Sequence, residues 1–508
     1  MNGLQDRTVL VLGLGDSGLA MARWCAAHGA QLRVWDSRDA PPQAGALAAE
    51  LPLALRLAGT LGSDALEGVS LVLKSPGLAP EDARIAPLLA EARGRGLAVL
   101  GELDLFVQAL QQLRETQGYA PQLLAITGTN GKTTTTAMTA LLVERAGRRV
   151  AVAGNIGPTL LGTLSARLED LPDVWVLELS SFQLEGGGQG VRGFEPTAAV
   201  VLNVTQDHLD WHGSMAAYAA AKARVHGARS VMVVNRDDPG VEAMVPPPAE
   251  HKGRAKDRPA ARTVIRFGLG APQHPGDFGL VEDHGVAWLV RALPADETVK
   301  PRKAELEEMH LQRLMPADAL RVRGRHNAAN ALAALALATA IGCPLAPMLH
   351  GLREYAGEAH RLQFVAAVDG VEAYDDSKGT NVGATVAALE GLGADKAPAK
   401  IVVILGGQGK GQDFSPLAAP LARHARAVAT IGRDAAAVEA VVQGLPLPLQ
   451  RHASLEAALA WCFAQARPGD AVLLSPACAS LDMFRNYGHR GEVFAQAVQA
   501  LARERGQA

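Results

Sequence analysis

The chain has few aromatic residues, few cysteines and almost no net charge. Aromatic side chains make up 4% of its 508 residues, so its cores must be built mainly from Ala, Leu and Val. Four cysteines without a C-x-x-C pair exclude a disulfide framework and a zinc knuckle, and they predict buried thiols in a reducing cytoplasm. A formal charge of −3 gives no general attraction for nucleic acid or an anionic membrane, so we expect small-molecule partners.

Long apolar runs are also missing. The best membrane candidate, residues 327–349, is uncharged, but polar residues, Gly342 and Pro344 interrupt it before it reaches the ~20 residues that a bilayer requires. We predict a buried, alanine-rich helix there and no membrane association. The apolar run near the N-terminus follows Asp6 and has no cleavage site of small residues, which predicts a strand and not a signal peptide.

Short β-rich runs alternate with helical periodicity along most of the chain. This alternation predicts an α/β fold of mostly parallel sheets covered by helices, and the length predicts about three domains. We place the domains at residues 1–113, 114–356 and 357–508. Prolines, glycines and mixed charges predict an irregular, solvated insertion at about 242–318, with a small hairpin around 286–290. The strands are predicted at Thr8–Leu12, Gln31–Trp35, Leu71–Lys74, Leu123–Thr127, Val174–Leu179, Ala198–Asn203, Ser230–Asn235, Lys400–Leu405, Ala427–Gly432 and Asp470–Ser475.

Residues 123–135, LLAITGTNGKTTT, join an apolar strand to a glycine-bearing turn and a threonine-rich helix start. This layout is typical of a phosphate-binding loop, in which backbone N–H groups and a helix N-terminus face an anion. Lys132 is predicted to reach the outer phosphates, and Thr133 to offer its hydroxyl to Mg²⁺. The loop is a variant, because Ile126 stands where the strict pattern has glycine. An ordinary capped turn is the alternative.

A second glycine turn, GLGDSG at residues 13–18, follows the first predicted strand, and Asp36 ends the next one. Taken alone, this pattern is the dinucleotide fingerprint, with Asp36 as the partner of a ribose. Any nucleotide can use such a turn, because the turn only lets a diphosphate approach a helix N-terminus. A nicotinamide dehydrogenase is therefore one alternative, but it leaves the Lys132 loop without a role.

Three more residues are expected near the phosphate loop. Glu178 ends one predicted strand, His208 follows another, and Lys222 lies in the segment AAKARV. Because the carboxyl ends of parallel strands meet at one sheet edge, Glu178 and His208 are placed to hold Mg²⁺ beside the phosphates. The alternatives are a surface histidine and a helix-surface lysine paired with a carboxylate. A non-catalytic nucleotide-binding scaffold would not require all three residues.

The last third of the chain carries cations next to glycine or serine turns, in GEAHRLQF (357–364), YDDSKGTN (374–381) and LGGQGKGQDF (405–414). Arg361, Lys378 and Lys410 suit the recognition of phosphate or carboxylate, and the alternative for each is a solvated surface charge. Ser480, in LLSPACASLDMF (473–484), stands at a predicted helix start and could also cap that helix.

In combination, these motifs resemble those of the Mur ligases of peptidoglycan synthesis over nearly the whole chain, except residues 186–193 and 242–318. TGTNGKTT, GNIG (154–157), LELSSFQLE, NVTQDHLD and HN-x-x-N (326–330) are typical of the family, and DSKGTN and LSPACASLD are similar to its D-glutamate-adding branch. The resemblance implies a UDP-binding Rossmann-like domain, a P-loop ATPase core and a C-terminal Rossmann-like domain that closes over the site. We expect a cytoplasmic monomer.

The resemblance also implies a role for each matching residue. ATP contacts fall on Gly128, Thr129, Asn130, Gly131, Lys132, Thr133, Thr134, Asn330, Arg361 and Asp376. The UDP-substrate contacts fall on Ser17, Asp36, Ser37, Arg38, Gly77 and Asn155. D-glutamate contacts fall on Thr380, Lys410, Ser480, Leu481 and Tyr487. Two Mg²⁺ ions would use Thr133, Glu178, His208 and Lys222, the last as a CO₂-derived carbamate. The catalytic residues would be Lys132, Glu178, His208, Lys222 and Lys378.

The implied reaction is ATP-dependent addition of D-glutamate to UDP-N-acetylmuramoyl-L-alanine. The substrate carboxylate attacks the γ-phosphorus to form an acyl phosphate, and the D-glutamate amine then displaces phosphate. The sequence departs from the expected pattern at Tyr487, where we expect phenylalanine, at Gln408, where we expect an acidic residue, and at Asp375, where we expect asparagine. The stretch 242–318 is longer than usual, and because no predicted site residue lies in it we expect it to be dispensable for the chemistry.

Overall fold

The computed structural model describes residues 3–247, 262–295, 309–322 and 324–507. Within these residues the strands form three sheets, of five, nine and six strands. Most neighbouring strands are parallel and are joined through helices, which confirms the predicted α/β class. The short edge strands and most of the antiparallel strands were not predicted.

The N-terminal part is a parallel sheet with helices between its strands. Its elements are β1 (Thr8–Leu12), α1 (Asp16–Ala27), β2 (Gln31–Trp35), α2 (Ala44–Glu50), β3 (Leu55–Leu57), β4 (Val69–Lys74), α3 (Ala86–Gly94), β5 (Ala98–Leu100) and α4 (Glu102–Gln117). The strand order is β3-β2-β1-β4-β5, so β1 and β4 end side by side. The Ser75 hydroxyl, just after β4, donates to the Gly13 carbonyl oxygen at 3.0 Å and joins the two loops.

The central part contains the largest sheet. Its strands are β6 (Gln122–Thr127), β7 (Val150–Gly154), β8 (Val174–Glu178), β9 (Ala198–Val201), β10 (Val231–Asn235), β11 (Val264–Phe267), β12 (Phe278–Asp283), β13 (Val286–Pro294) and β14 (Met309–Pro316). Its helices are α5 (Lys132–Arg145), α6 (Leu160–Arg167), α7 (Ser181–Glu185), α8 (Leu209–His212), α9 (Met215–Ala223), α10 (Pro239–Glu242), α11 (Arg325–Ala340) and α12 (Leu345–Glu354). The strand order is β14-β13-β12-β11-β10-β9-β6-β8-β7.

The prediction of an irregular insertion at 242–318 was wrong for its described residues. Strands β11 to β14 extend the central sheet, and β13 pairs antiparallel with both β12 and β14. The hairpin predicted at 286–290 is formed by β12 and β13, so its turn precedes residue 286. Phe278 and Met315 are fully buried against the sheet core. Composition was misleading here because many of the prolines and charges fall in residues 248–261 and 296–308, which lie outside the described part.

The C-terminal part is a third sheet in which only β15 and β16 pair antiparallel. Its elements are β15 (Gln363–Val368), β16 (Val371–Asp375), α13 (Val382–Lys396), β17 (Ile401–Gly406), α14 (Ala418–His424), β18 (Ala425–Ile431), α15 (Ala435–Val442), β19 (Leu449–Arg451), α16 (Leu455–Gln465), β20 (Ala471–Leu474) and α17 (Tyr487–Glu504). The strand order is β15-β16-β20-β17-β18-β19. The loops after β16, β17 and β20 therefore meet at one edge.

The apolar cores show how the three parts are joined. One core runs from the N-terminal sheet into the central sheet, where Phe106 of α4 packs edge-on against Trp175 of β8. In the described residues, the two cores of the C-terminal part include no residue of the other parts. Its attachment to the central part therefore depends more on polar contacts. The predicted boundary after residue 113 falls inside helix α4. The three domain ranges stay predictions.

The alanine-rich helix is present, but it is shorter than predicted. Helix α11 ends at Ala340, and α12 begins after Gly342 and Pro344. Residues 331–338 are completely buried, as expected for a helix that is apolar on all sides. No described helix combines the length and the hydropathy needed to span a bilayer. All four cysteines are buried free thiols, as predicted.

Candidate active site

The phosphate-binding loop lies between β6 and α5, as the sequence predicted. Gly131 precedes the helix with a φ of +84°, and a Cβ there would lie 2.6 Å from the Asn330 side-chain oxygen. A larger residue is therefore excluded by both conformation and space. The close approach also places Asn330 of α11 directly at the loop.

Lys132 folds back over this loop. Its Nζ donates to the carbonyl oxygens of Gly128 and Thr129, each at 2.9 Å. Burial lowers the pKa of Lys132, and the nearby Glu178 carboxylate acts in the opposite direction. A phosphate group is a stronger acceptor than these two carbonyls, so Lys132 is positioned to exchange them for an anion.

A cavity of about 320 Å³ lies between the central and C-terminal parts. Its lining combines the phosphate loop, α11 and the start of the C-terminal part. Seven predicted site residues line it: Asn130, Gly131, Thr134, Asn330, Arg361, Asp376 and Lys378. The cavity is therefore lined by residues of both the central and the C-terminal part, and its shape depends on how these two parts are arranged.

Two cations of the C-terminal part converge on Thr133. Arg361 donates to the Thr133 hydroxyl oxygen at 2.8 Å, and Lys378 Nζ donates to the same oxygen at 3.4 Å. Burial, together with Arg361, lowers the pKa of Lys378 to about 8. The Nε atom of Arg361 is buried without a hydrogen-bond partner among the described residues. These contacts leave positive charge and an unused donor at the expected phosphate position.

Asp376 lines the cavity together with Arg361 and Lys378. Burial raises its pKa to about 7, although the hydroxyl of Ser475 donates to its Oδ2 atom at 2.7 Å. The carboxyl group can therefore accept a hydrogen bond from a ligand when it is ionised and donate one when it is protonated.

Glu178 lies at the carboxyl end of β8, almost completely buried. The side chain of Asn155 donates to its Oε1 atom at 3.0 Å, which links the GNIG loop to the sheet edge. His208, in the loop after β9, has a φ of +53° and lies 3.6 Å from the Asp207 carboxylate. Burial lowers the pKa of His208, which favours the neutral imidazole that binds metals.

Lys222 is not a surface lysine. Its side chain is 1% exposed, its Nζ donates to the Gly128 carbonyl oxygen at 2.8 Å, and it lies 4.4 Å from the centre of the Tyr218 ring. Burial lowers its pKa well below the ordinary value, and Lys132 adds to the effect. The alternative of a helix-surface ion pair was therefore wrong.

The glycine turn of the N-terminal part is built around Asp36. Its carboxylate accepts from the backbone of Leu14 and Arg38 and from the Arg38 guanidinium. Burial alone would raise the pKa of Asp36, but these hydrogen bonds lower it to about 2. Because the carboxylate already has these partners, it fixes the turn and is poorly placed as the ribose acceptor of a dinucleotide. Ser17, in the first turn of α1, hydrogen-bonds Glu102, and Gly77 lies in the loop after β4.

The residues predicted for D-glutamate lie on three loops, with Thr380 after β16, Lys410 after β17, and Ser480 and Leu481 after β20, and at the start of α17, where Tyr487 lies. The backbones of Gln408 and Ala479 exchange two hydrogen bonds of 2.9 Å, which brings the Lys410 loop beside Ser480 and Leu481. Lys410 and Leu481 are exposed, and Lys410 is close enough to His208 to help lower its pKa. These loops therefore face the central sheet edge.

Comparisons with known proteins agree with this geometry. Residues 7–101 match the Mur ligase MurD-like N-terminal domain, 126–338 the Mur ligase middle domain, and 360–478 the Mur ligase glutamate ligase domain. A protein of Albidiferax ferrireducens named UDP-N-acetylmuramoylalanine–D-glutamate ligase is 60% identical, covering 100% of this chain and 99% of its own length. The chain belongs to the Mur ligase family. The resemblance predicted from its motifs is confirmed.

Two further matches extend the result. A Burkholderia multivorans protein with the same name is 57% identical to this Mur ligase, over 99% of this chain and 98% of its own. The crystal structure of UDP-N-acetylmuramate–alanine ligase from Thermotoga maritima has a TM-score of 0.57 at 18% identity, covering 97% of this chain and 99% of that one. At that identity the likeness concerns the fold alone, and it confirms the three-sheet architecture.

The residues of this Mur ligase fit Mg²⁺ and a nucleotide phosphate. Thr133 and Glu178 supply the oxygen donors that Mg²⁺ prefers, and His208 supplies a half-buried imidazole. The unpartnered Nε atom of Arg361 and the cations around Thr133 suit an anion. The described ranges contain no group of three or more His, Cys, Asp or Glu side chains that could hold a metal ion by themselves. A metal site here would therefore need a donor other than these four residue types, such as the Thr133 hydroxyl.

Each of the three residues that depart from the family pattern, Tyr487, Asp375 and Gln408, makes a defined contact in the structure. The ring of Tyr487 lies under Lys378, with 5.2 Å between Nζ and the ring centre. Asp375 accepts from the side chain of His360 at 2.7 Å and from the backbone of Ser377 at 2.8 Å. Gln408 forms the backbone pair with Ala479. The prediction that Ser480 caps a helix was wrong, because the next helix, α17, begins at Tyr487 and is capped by Asn486.

Several residues of the site were not predicted. Asn203 exchanges two hydrogen bonds with the backbone of Asn130, and Tyr218 and Thr205 hold the Thr129 hydroxyl. The motif NVTQDHLD, which follows a predicted strand, contains Asn203 and Thr205, so their place at the same sheet edge as the loop could have been predicted. Asn381 also bonds Asn130, although the two residues are 251 positions apart. Sequence spacing gives no signal for that contact.

Proposed function

We propose that this chain is an ATP-dependent ligase that adds D-glutamate to UDP-N-acetylmuramoyl-L-alanine in cytoplasmic peptidoglycan precursor synthesis. The observation that carries the proposal is the convergence of Arg361 and Lys378, from the C-terminal part, on Thr133 of the phosphate loop. Lys132 lies in the same loop. The name shared by relatives that are 57–60% identical over the whole chain supports this substrate pair.

Amide formation from a carboxylate requires the carboxylate oxygen to become a leaving group. ATP supplies the phosphoryl group, and the UDP-substrate carboxylate attacks its γ-phosphorus to give an acyl phosphate and ADP. Lys132, Arg361 and Lys378 offset the negative charge on the transferring oxygens. The D-glutamate amine then attacks the acyl carbon, phosphate leaves, and the amine loses a proton. Asp376 and Asn330 would bind the nucleoside end of ATP in the cavity.

Thr133, Glu178, His208 and a carbamate on Lys222 would hold Mg²⁺, and two ions are expected. Bound Mg²⁺ supplies positive charge next to the phosphates. Asn155 would orient Glu178 through its 3.0 Å hydrogen bond and lie next to the lactyl-alanine end of the substrate. His208 adopts a positive φ in its loop, and its imidazole lies next to the Asp207 carboxylate.

Lys222 is suited to carbamylation because its amine is buried next to a second lysine. The neutral amine, favoured by the lowered pKa, uses its lone pair to form an N–C bond with CO₂ and releases one proton to solvent. The product is an anion with two oxygens. The group at this position thereby changes from an amine, which would repel Mg²⁺ whenever it is protonated, to an anion that can bind Mg²⁺.

The substrate contacts complete the proposal. Ser17, Asp36, Ser37, Arg38 and Gly77 surround the glycine turn where the UDP group would bind. Thr380, Lys410, Ser480, Leu481 and Tyr487 would bind D-glutamate at the loops that face His208, and Lys410 offers a cation for its carboxylates. A nicotinamide dehydrogenase has less support, because the cations around Thr133 would have no role in it.

The test is identification of the product. The protein is mixed with ATP, Mg²⁺, UDP-N-acetylmuramoyl-L-alanine and D-glutamate, and mass spectrometry follows the UDP-sugar. We expect its mass to rise by one glutamate residue with D-glutamate, and L-glutamate serves as the matched control. Conversion at equal rates with both enantiomers, or with neither, would contradict the proposal.

A further inference from the structure

A pair of asparagine side chains joins the C-terminal part directly to the phosphate loop. The Nδ2 atom of Asn130 donates to the Oδ1 atom of Asn381 at 3.2 Å, and Nδ2 of Asn381 donates back to Oδ1 of Asn130 at 3.0 Å. Asn381 is 5% exposed, so water competes little for these bonds. The two amides therefore form a closed, reciprocal pair across the boundary between the two parts.

The orientation of the Asn381 amide is fixed by its neighbours. Its Oδ1 atom also accepts from the backbone N–H of Ala384 at 2.9 Å and so caps helix α13. Its Nδ2 atom also donates to the Asp207 carboxylate at 3.3 Å. A side chain that bonds Asn130, Ala384 and Asp207 together needs both an acceptor and a donor, and the amide of Asn381 supplies both.

The backbone next to Asn381 is also close to the central part. A Cβ at Gly383 would lie 2.9 Å from the Thr205 hydroxyl oxygen and 3.2 Å from the Asn130 amide nitrogen. The start of α13 therefore lies against the same loops that hold the phosphate-binding turn. No described apolar core crosses this boundary, so the attachment depends on polar contacts, among them the amide pair and the bonds of Arg361 and Lys378 to Thr133.

We propose that Asn381 is a positioning residue that holds the C-terminal part closed over the central site by bonding the side chain of Asn130. Asn130 is itself fixed, because its backbone N–H donates to the Asn203 side chain and its carbonyl accepts from it. The arrangement that brings Arg361 and Lys378 to Thr133 therefore depends on the conformation of the phosphate loop. This inference rests on the proposed function.

The decisive variant is Asn381→Asp. Aspartate keeps the cap on Ala384, so α13 should remain stable. It loses the donor, and its new oxygen faces two acceptors, Asn130 Oδ1 and Asp207 Oδ2. Rotation of the Asn130 amide can restore one bond but not the contact with Asp207. Asn381→Ser is a second variant, because serine caps well, carries no charge and is too short to reach Asn130.

The chain offers a matched control in Asn486→Asp. Asn486 caps α17 through the backbone N–H of His489 at 2.8 Å, and its side chain is exposed. The same chemical change at this cap removes no contact with the central part. Small-angle X-ray scattering and steady-state kinetics are then compared for the wild type and the three variants.

We expect Asn381→Asp to scatter with a larger radius of gyration than the wild type and Asn486→Asp. Its kcat should fall roughly tenfold or more, while KM for the UDP-substrate stays within about twofold, because the UDP-binding turn lies on the N-terminal part. Wild-type turnover, or reduced turnover with the wild-type radius of gyration, would overturn the proposal. If the wild-type protein released no phosphate with its substrates, the proposed function would fail, and scattering would still decide the role of Asn381.

Discussion

The side-chain nitrogen of Lys222 lies 2.8 Å from the carbonyl oxygen of Gly128, the same oxygen that Lys132 approaches to 2.9 Å. Two lysines therefore share one acceptor in a buried site. Their mutual repulsion and their burial both favour loss of a proton, and this loss falls mainly on Lys222. The neutral amine of Lys222 is thus positioned for a reaction that converts it into an anion beside the Lys132 cation.

Carbamylation of Lys222 predicts that Lys222→Arg is nearly inactive. Arginine keeps a cation at this position but cannot form the carbamate, so the charge would oppose Mg²⁺. Removal of bicarbonate and CO₂ should lower the activity of the wild type, and readdition should restore it.

The carbamate can also be observed without an activity assay. ¹³C-labelled bicarbonate should give a protein-bound resonance in wild-type NMR spectra that is absent from Lys222→Arg. An arginine variant with wild-type turnover would leave Lys222 as a buried structural residue.

Lys132→Ala should abolish turnover and leave the fold intact. The loss of one cation that faces the transferring phosphate is expected to lower kcat at least about a hundredfold. Arg145→Ala is the matched control, because it removes an exposed cation that pairs with Glu354 at the opposite end of α5. Circular dichroism checks the fold. A folded Lys132→Ala protein with normal turnover would disprove the role of the phosphate loop.

The pKa of Lys378 predicts an alkaline limit to activity. Below about pH 8 its side chain is a cation beside Thr133, and above that pH the charge is lost. The value of kcat/KM for ATP, which reports the free enzyme, should therefore fall as the pH rises through about 8. Lys378→Arg keeps its charge, so its kcat/KM for ATP should stay constant to at least about pH 9. Profiles that fall at the same pH in both proteins would assign the limit to another group.

The segment 242–318 should divide into a dispensable and a structural portion. Replacement of residues 248–261, which contain no predicted site residue, with a short Gly/Ser linker should leave turnover within a few-fold. Phe278→Ala, in contrast, removes a fully buried ring from β12 and should lower the free energy of unfolding by about 3–4 kcal/mol. Urea unfolding measures the difference. Complete loss of turnover in a folded linker variant would show that the segment contributes to the site.

The sequence predicted the parallel strands well because continuous apolar runs such as β8 and β9 form strands that are buried on both faces. The end of the apolar run in β8 predicted the position of Glu178, and the apolar run of β6 followed by a glycine turn predicted that Lys132 lies at the start of α5. In the insertion, β12 and β13 were predicted only as a small hairpin, and β11 and β14 were missed because most of their side chains are only partly buried or exposed and the surrounding composition is polar. Burial of Lys222 and the contact of Asn381 with Asn130 were not predictable, since each depends on how separate elements pack.

The most direct test of the whole account is phosphate release from ATP with each substrate omitted in turn. We predict release only when UDP-N-acetylmuramoyl-L-alanine, D-glutamate and Mg²⁺ are all present, because the acyl phosphate forms on the first substrate and turns over on the second. Release at an undiminished rate without the UDP-substrate, or equal turnover with L-lysine or meso-diaminopimelate in place of D-glutamate, would contradict it.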